Sequence, residues 1–141
     1  MKKLFISSDH AGFNLKEKIK KNFKQKYSFI DLGTDNSKTS VNYPDYAHKL
    51  SKKVSKSNKN IGILICGSGM GMSMAANRHK KIRAAVCYSA KNTKLSRLHN
   101  NANIITLGSR LIKKNIAFKF IDIFVNTKFE GARHKKRVRK I

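Results

Sequence analysis

The chain has 141 residues, with 32 Lys and Arg against 7 Asp and Glu, so its formal net charge is +25 at pH 7. This length predicts a single domain over residues 1–141, and the 40% hydrophobic content excludes disorder over most of it. No apolar run approaches the roughly 18–20 residues of a membrane span, and the basic start lacks the apolar run of a signal peptide. Two cysteines do not make a disulfide framework, which indicates a reducing compartment and a cytoplasmic protein.

The charge alone permits two interpretations. A strongly basic protein attracts polyanions such as nucleic acids. The basic residues, however, are mostly Lys, and they are spread from Lys2 to Lys140 without a stripe of interleaved aromatic residues. A solvated lysine surface is therefore favoured and no nucleic-acid partner is expected, although a polyanion-binding module stays open as an alternative.

Short β-rich runs alternate with helical patterns along the first half of the chain. The run at 3–7 predicts a strand, and apolar residues then recur at every fourth position over 15–23, as on one face of a helix. A second strand is predicted at 28–31. Pro44, the only proline, suits the first turn of a second helix that extends to Val54.

The second half repeats this alternation. The run at 61–66 is apolar throughout, as expected of a central parallel strand covered on both faces. The glycine-rich loop after it opens a third helix. A fourth strand, a helix, a fifth strand, a long amphipathic helix and a basic, helical tail are predicted at residues 83–87, 90–99, 103–108, 116–125 and 130–141.

The alternation predicts an α/β fold: a three-layer α/β/α sandwich around a doubly wound, five-stranded parallel sheet, Rossmann-like, with a C-terminal helical tail. In such sheets ligands bind beyond the carboxyl ends of the strands. We therefore expect the segments 8–12, 66–71 and 99–110 to lie together at that edge.

The segment Cys66-Gly67-Ser68-Gly69-Met70-Gly71 is the most distinctive. It is not the dinucleotide fingerprint, because its glycines are spaced G-x-G-x-G after a third strand, and it lacks the Lys of a P-loop. Its backbone N–H groups at a helix start suit an anion or a developing oxyanion. Cys66, at the mouth of this loop, is a candidate base, with a purely structural role as the alternative; Cys87 is expected to be structural.

Histidines and arginines supply further candidates. His10 and His99 fall at the predicted ligand edge, where a functional and a surface role remain equally open, whereas His48 and His79 are expected to be surface residues. No metal-binding motif is present, so no metal is expected. Two arginines lie four residues apart in the tail and suit bidentate phosphate recognition, with a solvated basic tail as the alternative: Arg133 and Arg137.

Eight segments of the chain, spread in order over nearly its whole length, form a joint pattern. They are 8–12 (SDHAG), 31–33 (D-x-G), 43–47 (YPDYA), 62–71 (GILICGSGMG), 75–77 (AAN), 98–100 (LHN), 107–110 (LGSR) and 130–137 (EG-x-RH-x-x-R). Together they resemble the ribose-5-phosphate isomerase B family, which also includes galactose-6-phosphate and allose-6-phosphate isomerases.

The resemblance implies an aldose–ketose isomerase of the non-oxidative pentose phosphate pathway that interconverts ribose 5-phosphate and ribulose 5-phosphate through an enediolate, without metal or organic cofactor. The catalytic residues would be Cys66, which moves the proton between C1 and C2, and His99, which helps to open the sugar ring. The expected substrate-binding residues fall into three groups: the backbone of Gly67, Ser68, Gly69, Met70 and Gly71 for the oxyanion, Asp9 and Asn100 for hydroxyls, and His10, Arg110, Arg133 and Arg137 for the phosphate.

Two further implications concern the branch of the family and the assembly. One branch replaces the cysteine by a glutamate at the position of Met72, so Cys66 and Met72 resemble the cysteine branch. The family builds its site from two subunits, which implies a homodimer, or a tetramer, that binds a small sugar phosphate away from membranes. A six-carbon substrate such as allose 6-phosphate remains an alternative.

Overall fold

Five strands and six helices make up the structure, a computed structural model that describes residues 1–141. The strands are β1 (Lys2–Ser8), β2 (Tyr27–Asp31), β3 (Gly62–Cys66), β4 (Ala84–Val86) and β5 (Ile104–Gly108). The helices are α1 (Phe13–Phe23), α2 (Tyr43–Val54), α3 (Met70–Ala76), α4 (Ala90–Leu98), α5 (Lys114–Asn126) and α6 (Arg133–Val138).

All strand pairs are parallel, and the order across the sheet is β2-β1-β3-β5-β4. The central strand β3 pairs Ile63 with Ile6 on one side and with Ile105 on the other, and all five of its residues are buried. The connections that follow β1 and β3 leave on opposite faces, so the carboxyl ends of these neighbouring strands flank a crevice. The five-stranded parallel sheet predicted from the alternating pattern is confirmed.

Helices cover both faces of the sheet. On one face the apolar sides of α1 and α5 pack on the strands, with Ile19 and Phe124 fully buried. On the other face α2 and α3 do the same, with Leu50 and Met72 fully buried. The predicted three-layer sandwich is therefore confirmed. Met72 is a core residue, so the position that holds a glutamate in one branch of the resembled family carries no base in this chain.

Two elements are shorter than predicted. The edge strand β4 pairs only with β5, and it begins at Ala84 because the Arg83 N–H donates instead to the Asn103 side chain over 2.9 Å. The predicted terminal helix exists as α6, which is six residues long. Upstream of α6, the Glu130 N–H donates to the Leu98 carbonyl over 3.0 Å and so attaches the tail to the end of α4.

None of the helices combines the length and the apolar character that crossing a membrane requires. The longest, α5, has 13 residues, which corresponds to about 20 Å against a hydrocarbon thickness of about 30 Å.

Candidate active site

The loop after β3 folds back onto the sulfur of Cys66. The Gly69 N–H donates to Cys66 Sγ over 3.1 Å, and Cys66 is 4% exposed. Gly69 has φ +77°, and a Cβ there would lie 2.9 Å from the Leu107 backbone, so only glycine suits the position. The N–H groups of Gly67, Ser68 and Gly71 have no acceptor within the chain. The loop therefore holds one thiol beside three free backbone donors.

Asp9 and His10 flank this loop from the end of β1. The Asp9 N–H donates to the Ile65 carbonyl over 3.2 Å, which ties the two strand ends together. The buried Asp9 carboxylate accepts the Gly12 N–H over 3.0 Å. His10 Nδ1 accepts the Val41 N–H over 3.1 Å, so in the neutral ring the proton lies on Nε2, which remains a free donor.

Arg110 closes the opposite side of the loop from the end of β5. Its N–H donates to the Gly67 carbonyl over 3.0 Å, and the preceding Ser109 N–H donates to the Cys66 carbonyl over 2.9 Å. A Cβ on Gly67 would lie 3.0 Å from Arg110 Nη1, so the guanidinium packs directly on the glycine loop. The structure thus brings together Asp9, His10, the segment 66–71 and Arg110, as predicted.

Tyr43 is a further member that the residue-type reasoning did not single out. A Cβ on Gly71 would lie 2.5 Å from the Tyr43 ring and 2.8 Å from its hydroxyl oxygen. Tyr43 opens α2 and is 40% exposed, so its hydroxyl reaches the loop from the solvent side. Its place in the segment 43–47, ahead of the only proline, was the available signal.

The expectation that His99 lies at the same edge is wrong for a single chain. A helix that joins two parallel strands runs back along the sheet, so the end of α4 lies beside the start of β5. His99 caps that end, and Arg83, which precedes β4, donates its Nε to the nearby Asn101 carbonyl over 2.9 Å. The carboxyl and amino edges of the sheet are separated by the five residues of β3, a length of about 16 Å.

His99 belongs instead to a cluster with the tail. Its ring stacks on that of His134, with centroids 4.2 Å apart and planes 16° apart. The Nε2 atoms of both rings lie 3.7 Å from Glu130 Oε2, while Arg133 Nη1 lies 3.6 Å from Glu130 Oε1. Burial lowers the pKa of His134, and the adjacent His99 adds to this effect.

Asn100, Arg133 and Arg137 are exposed at this second edge. The predicted site residues therefore fall into two separate groups, which we label half-sites: Asp9, His10, the segment 66–71 and Arg110 at the carboxyl edge, and His99, Asn100, Arg133 and Arg137 at the amino edge. Glu130 and His134 join the second half-site, and residue-type reasoning missed both, because only the folded tail brings them to His99.

The remaining cysteine and histidines are removed from both half-sites. Cys87 is 2% exposed, and burial raises its pKa to about 11, so it stays a thiol at neutral pH, in keeping with the expected structural role. His48 Nδ1 and His79 Nε2 lie 2.7 Å apart at the surface of α2. Burial lowers the pKa of His79, and the charges of His48 and Lys52 lower it further.

Comparisons with known proteins identify the family of the chain. The model of the Ribose/Galactose Isomerase family matches residues 4–141. A probable ribose-5-phosphate isomerase B of Mycoplasma genitalium is 43% identical over 140 residues, which cover 98% of this chain and 92% of that protein. Ribose-5-phosphate isomerase B of Escherichia coli is 39% identical over 142 residues, 100% of this chain and 95% of that protein.

Solved structures give the same answer for the fold. A ribose 5-phosphate isomerase of Thermotoga maritima superimposes with a TM-score of 0.94 at 47% identity, covering 98% of this chain and 95% of that one. Ribose-5-phosphate isomerase B of Mycoplasma genitalium with bound ribulose-5-phosphate gives 0.94 at 42% identity, covering 98% and 92%. These comparisons define the class of the protein as a sugar-phosphate isomerase with an α/β fold. The chain belongs to the Ribose/Galactose Isomerase family.

Proposed function

We propose that this chain is an aldose–ketose isomerase that interconverts D-ribose 5-phosphate and D-ribulose 5-phosphate, in the non-oxidative branch of the pentose phosphate pathway. The observation that carries the proposal is the Cys66 thiol beside three unpaired backbone N–H groups. Relatives named ribose-5-phosphate isomerase B, one of them solved with ribulose-5-phosphate, support the choice of substrate. A cytoplasmic location agrees with the two free cysteines.

The reaction moves one proton between neighbouring carbons. On the open-chain aldose, Cys66 acts as the thiolate and takes the proton from C2, and the electrons of that C–H bond flow into the C1 carbonyl to give an enediolate. The free N–H groups of Gly67, Ser68 and Gly71 hold the oxygen on which negative charge develops. Return of the proton to C1, with transfer of a hydroxyl proton from O2 to O1, gives the ketose.

Substrate binding uses the polar groups around the loop. Asp9 accepts hydrogen bonds from sugar hydroxyls, and Arg110 and the free Nε2–H of His10 bind the phosphate. These contacts fix the open chain with C2 over the sulfur, since a misplacement of about 1 Å lowers the rate by about 10²-fold.

The second half-site is supplied by a second copy of the chain. A two-fold dimer that sets one carboxyl edge against the amino edge of its partner brings His99 and Asn100 to the sugar and Arg133 and Arg137 to the phosphate. His99 then transfers a proton to the ring oxygen when the furanose opens. Large apolar side chains are exposed around the carboxyl edge and would be covered in this dimer: Met70, Met74, Tyr88 and Leu111.

The direct test follows the product. Purified protein is incubated with ribose 5-phosphate in deuterated water, and NMR records ketose formation and deuterium entry. We expect turnover in the wild type and none in Cys66→Ala. No turnover, or undiminished turnover in the variant, contradicts the proposal. Comparing kcat/KM for ribose 5-phosphate and allose 6-phosphate then distinguishes a five-carbon from a six-carbon preference.

A further inference from the structure

Three potential metal ligands converge where the tail meets the end of α4. His99 Nε2 and His134 Nε2 each lie 3.7 Å from the same carboxylate oxygen, Glu130 Oε2. All three atoms lie within 4.8 Å of one another. Two imidazoles and one carboxylate form a ligand set that Zn²⁺ and similar divalent transition metals take in proteins.

The two nitrogen-to-oxygen separations come close to those around a bound ion. With metal–nitrogen and metal–oxygen bonds of about 2.0–2.2 Å, tetrahedral ligand atoms lie about 3.3–3.6 Å apart. The two distances of 3.7 Å exceed this by only a few tenths of an ångström. The two stacked imidazoles must tilt toward each other, and the His99 side chain is 36% exposed, which leaves its ring free to do so.

A second observation points to a ligand at this place. His134 Nε2 is buried and has no hydrogen-bond partner, and its side chain is only 7% exposed. A buried polar atom without a partner destabilises the fold. This atom is directed toward Glu130 Oε2, so a cation between them would satisfy both groups.

The positive surroundings oppose a cation but do not occupy the site. Arg133 Nη1 approaches the other carboxylate oxygen, Glu130 Oε1, at 3.6 Å, and its side chain is 63% exposed. Arg133 and a metal ion would therefore use different oxygens of Glu130. The remaining charge of the chain is screened beyond about 8 Å at physiological ionic strength.

We propose that His99, Glu130 and His134 bind one Zn²⁺-like divalent ion, and that this ion inhibits the enzyme by occupying the His99 nitrogen. The inhibition rests on the proposed function, because it assumes that His99 acts on the sugar. Metal and sugar phosphate then compete for His99, so the ion raises KM and leaves kcat unchanged.

Cobalt is a suitable probe, because Co²⁺ takes the same ligands as Zn²⁺ and its visible spectrum reports them. Tag-free wild-type protein is titrated with Co²⁺. We expect one ion per chain, tetrahedral absorption bands that Zn²⁺ abolishes, and no thiolate-to-cobalt charge-transfer band. Such a charge-transfer band would place the ion at Cys66, and an absence of binding would remove the site; either result overturns the proposal.

Variants locate the ion. Glu130→Gln and His134→Gln should each weaken Co²⁺ binding at least about tenfold. His48→Gln is the matched control, because His48 belongs to the other histidine pair, and it should bind as the wild type does. Glu130 is 42% exposed, so its variant is expected to fold even if His134→Gln does not. Loss of binding in His48→Gln alone overturns the proposal.

An activity assay separates this proposal from the proposed function. Zn²⁺ should inhibit reversibly, with recovery on adding a chelator or excess ribose 5-phosphate. If the chain binds Co²⁺ at this cluster but does not isomerise the sugar, the proposed function fails and the metal site stands. If it isomerises the sugar but binds no Co²⁺, the metal site fails alone.

Discussion

The Gly69 N–H donates to Cys66 Sγ over 3.1 Å, within a turn in which Gly69 has a left-handed backbone conformation, with φ +77°. This contact holds the sulfur against the loop that carries three unpaired N–H groups. The two cysteines have different surroundings, because Cys87 is buried in a core cluster and its neighbours include Thr93 and Ser96 of α4.

Replacement of the two cysteines should therefore have different effects. Cys66→Ser should lower kcat by at least about 10²-fold, because a serine hydroxyl, unlike a thiol, does not ionise near neutral pH and so supplies no anionic base. Cys87→Ser, the matched control, should keep kcat and change the free energy of unfolding little, because the Ala85 carbonyl that accepts from the thiol can accept from a hydroxyl. Steady-state kinetics and urea unfolding measure these effects. Equal losses of kcat in both variants would contradict the assignment.

The glycines of the loop should differ in their tolerance of alanine. Gly69→Ala combines φ +77° with a Cβ 2.9 Å from the Leu107 backbone, which cannot move, and should cost about 1–3 kcal/mol or more. Gly71→Ala meets only the Tyr43 side chain, which is exposed enough to swing away. Urea unfolding should therefore show the larger loss of unfolding free energy for Gly69→Ala. Adding Tyr43→Ala should reduce the loss that Gly71→Ala causes. A larger loss for Gly71→Ala would be the contrary result.

Lys16 should matter far more than its surface neighbours. Its side chain is 1% exposed, and its ammonium donates to both Asp31 oxygens and to the Thr34 carbonyl at 2.7–2.8 Å. Lys16→Met leaves the carbonyl unpaired and should cost about 3 kcal/mol. Lys20→Met, which removes a 30%-exposed partner of the same carboxylate, should cost less than about 1 kcal/mol. Chemical denaturation of the two variants tests this difference, which similar losses would contradict.

Acid should weaken the fold through its histidines. The pKa values of His79 and His134 are lowered, chiefly by burial. Below the ordinary His value of about 6.5, the unfolded chain binds protons that the folded chain does not, so the free energy of unfolding falls as the pH falls through that value. Urea unfolding at about pH 7.5 and 5.5 should show this loss. His79→Gln should reduce it, and a variant with the full loss would exclude a role for His79.

Much of the fold is predictable from the sequence, for physical reasons. Strand β3 is buried on both faces, so its apolar run is unambiguous, and helices that pack on one side show apolar residues at every third or fourth position. The end of a short edge strand is less predictable: β4 loses Arg83, because the Arg83 N–H donates to the Asn103 side-chain oxygen, a contact that no local pattern reveals. The strand order, with β5 between β3 and β4, is also hard to predict from local patterns, because it depends on long-range packing.

The site was predictable only in part. The segments at the carboxyl edge follow their strands directly, so their meeting is a consequence of a parallel sheet. His99 was expected at that edge because it lies near β5 in sequence, but it precedes that strand rather than follows it. The contacts of His99 with Glu130 and His134 join residues about 30 positions apart and need the folded tail.

The central claim is that one chain holds two half-sites and that a partner completes each. Cys66→Ala and His99→Asn subunits, inactive alone, are unfolded together and refolded, and isomerase activity is measured. With random pairing, half of the dimers are mixed and each mixed dimer holds one intact site, so about a quarter of the wild-type activity should return. A mixture that stays as inactive as its components would contradict a site shared between subunits.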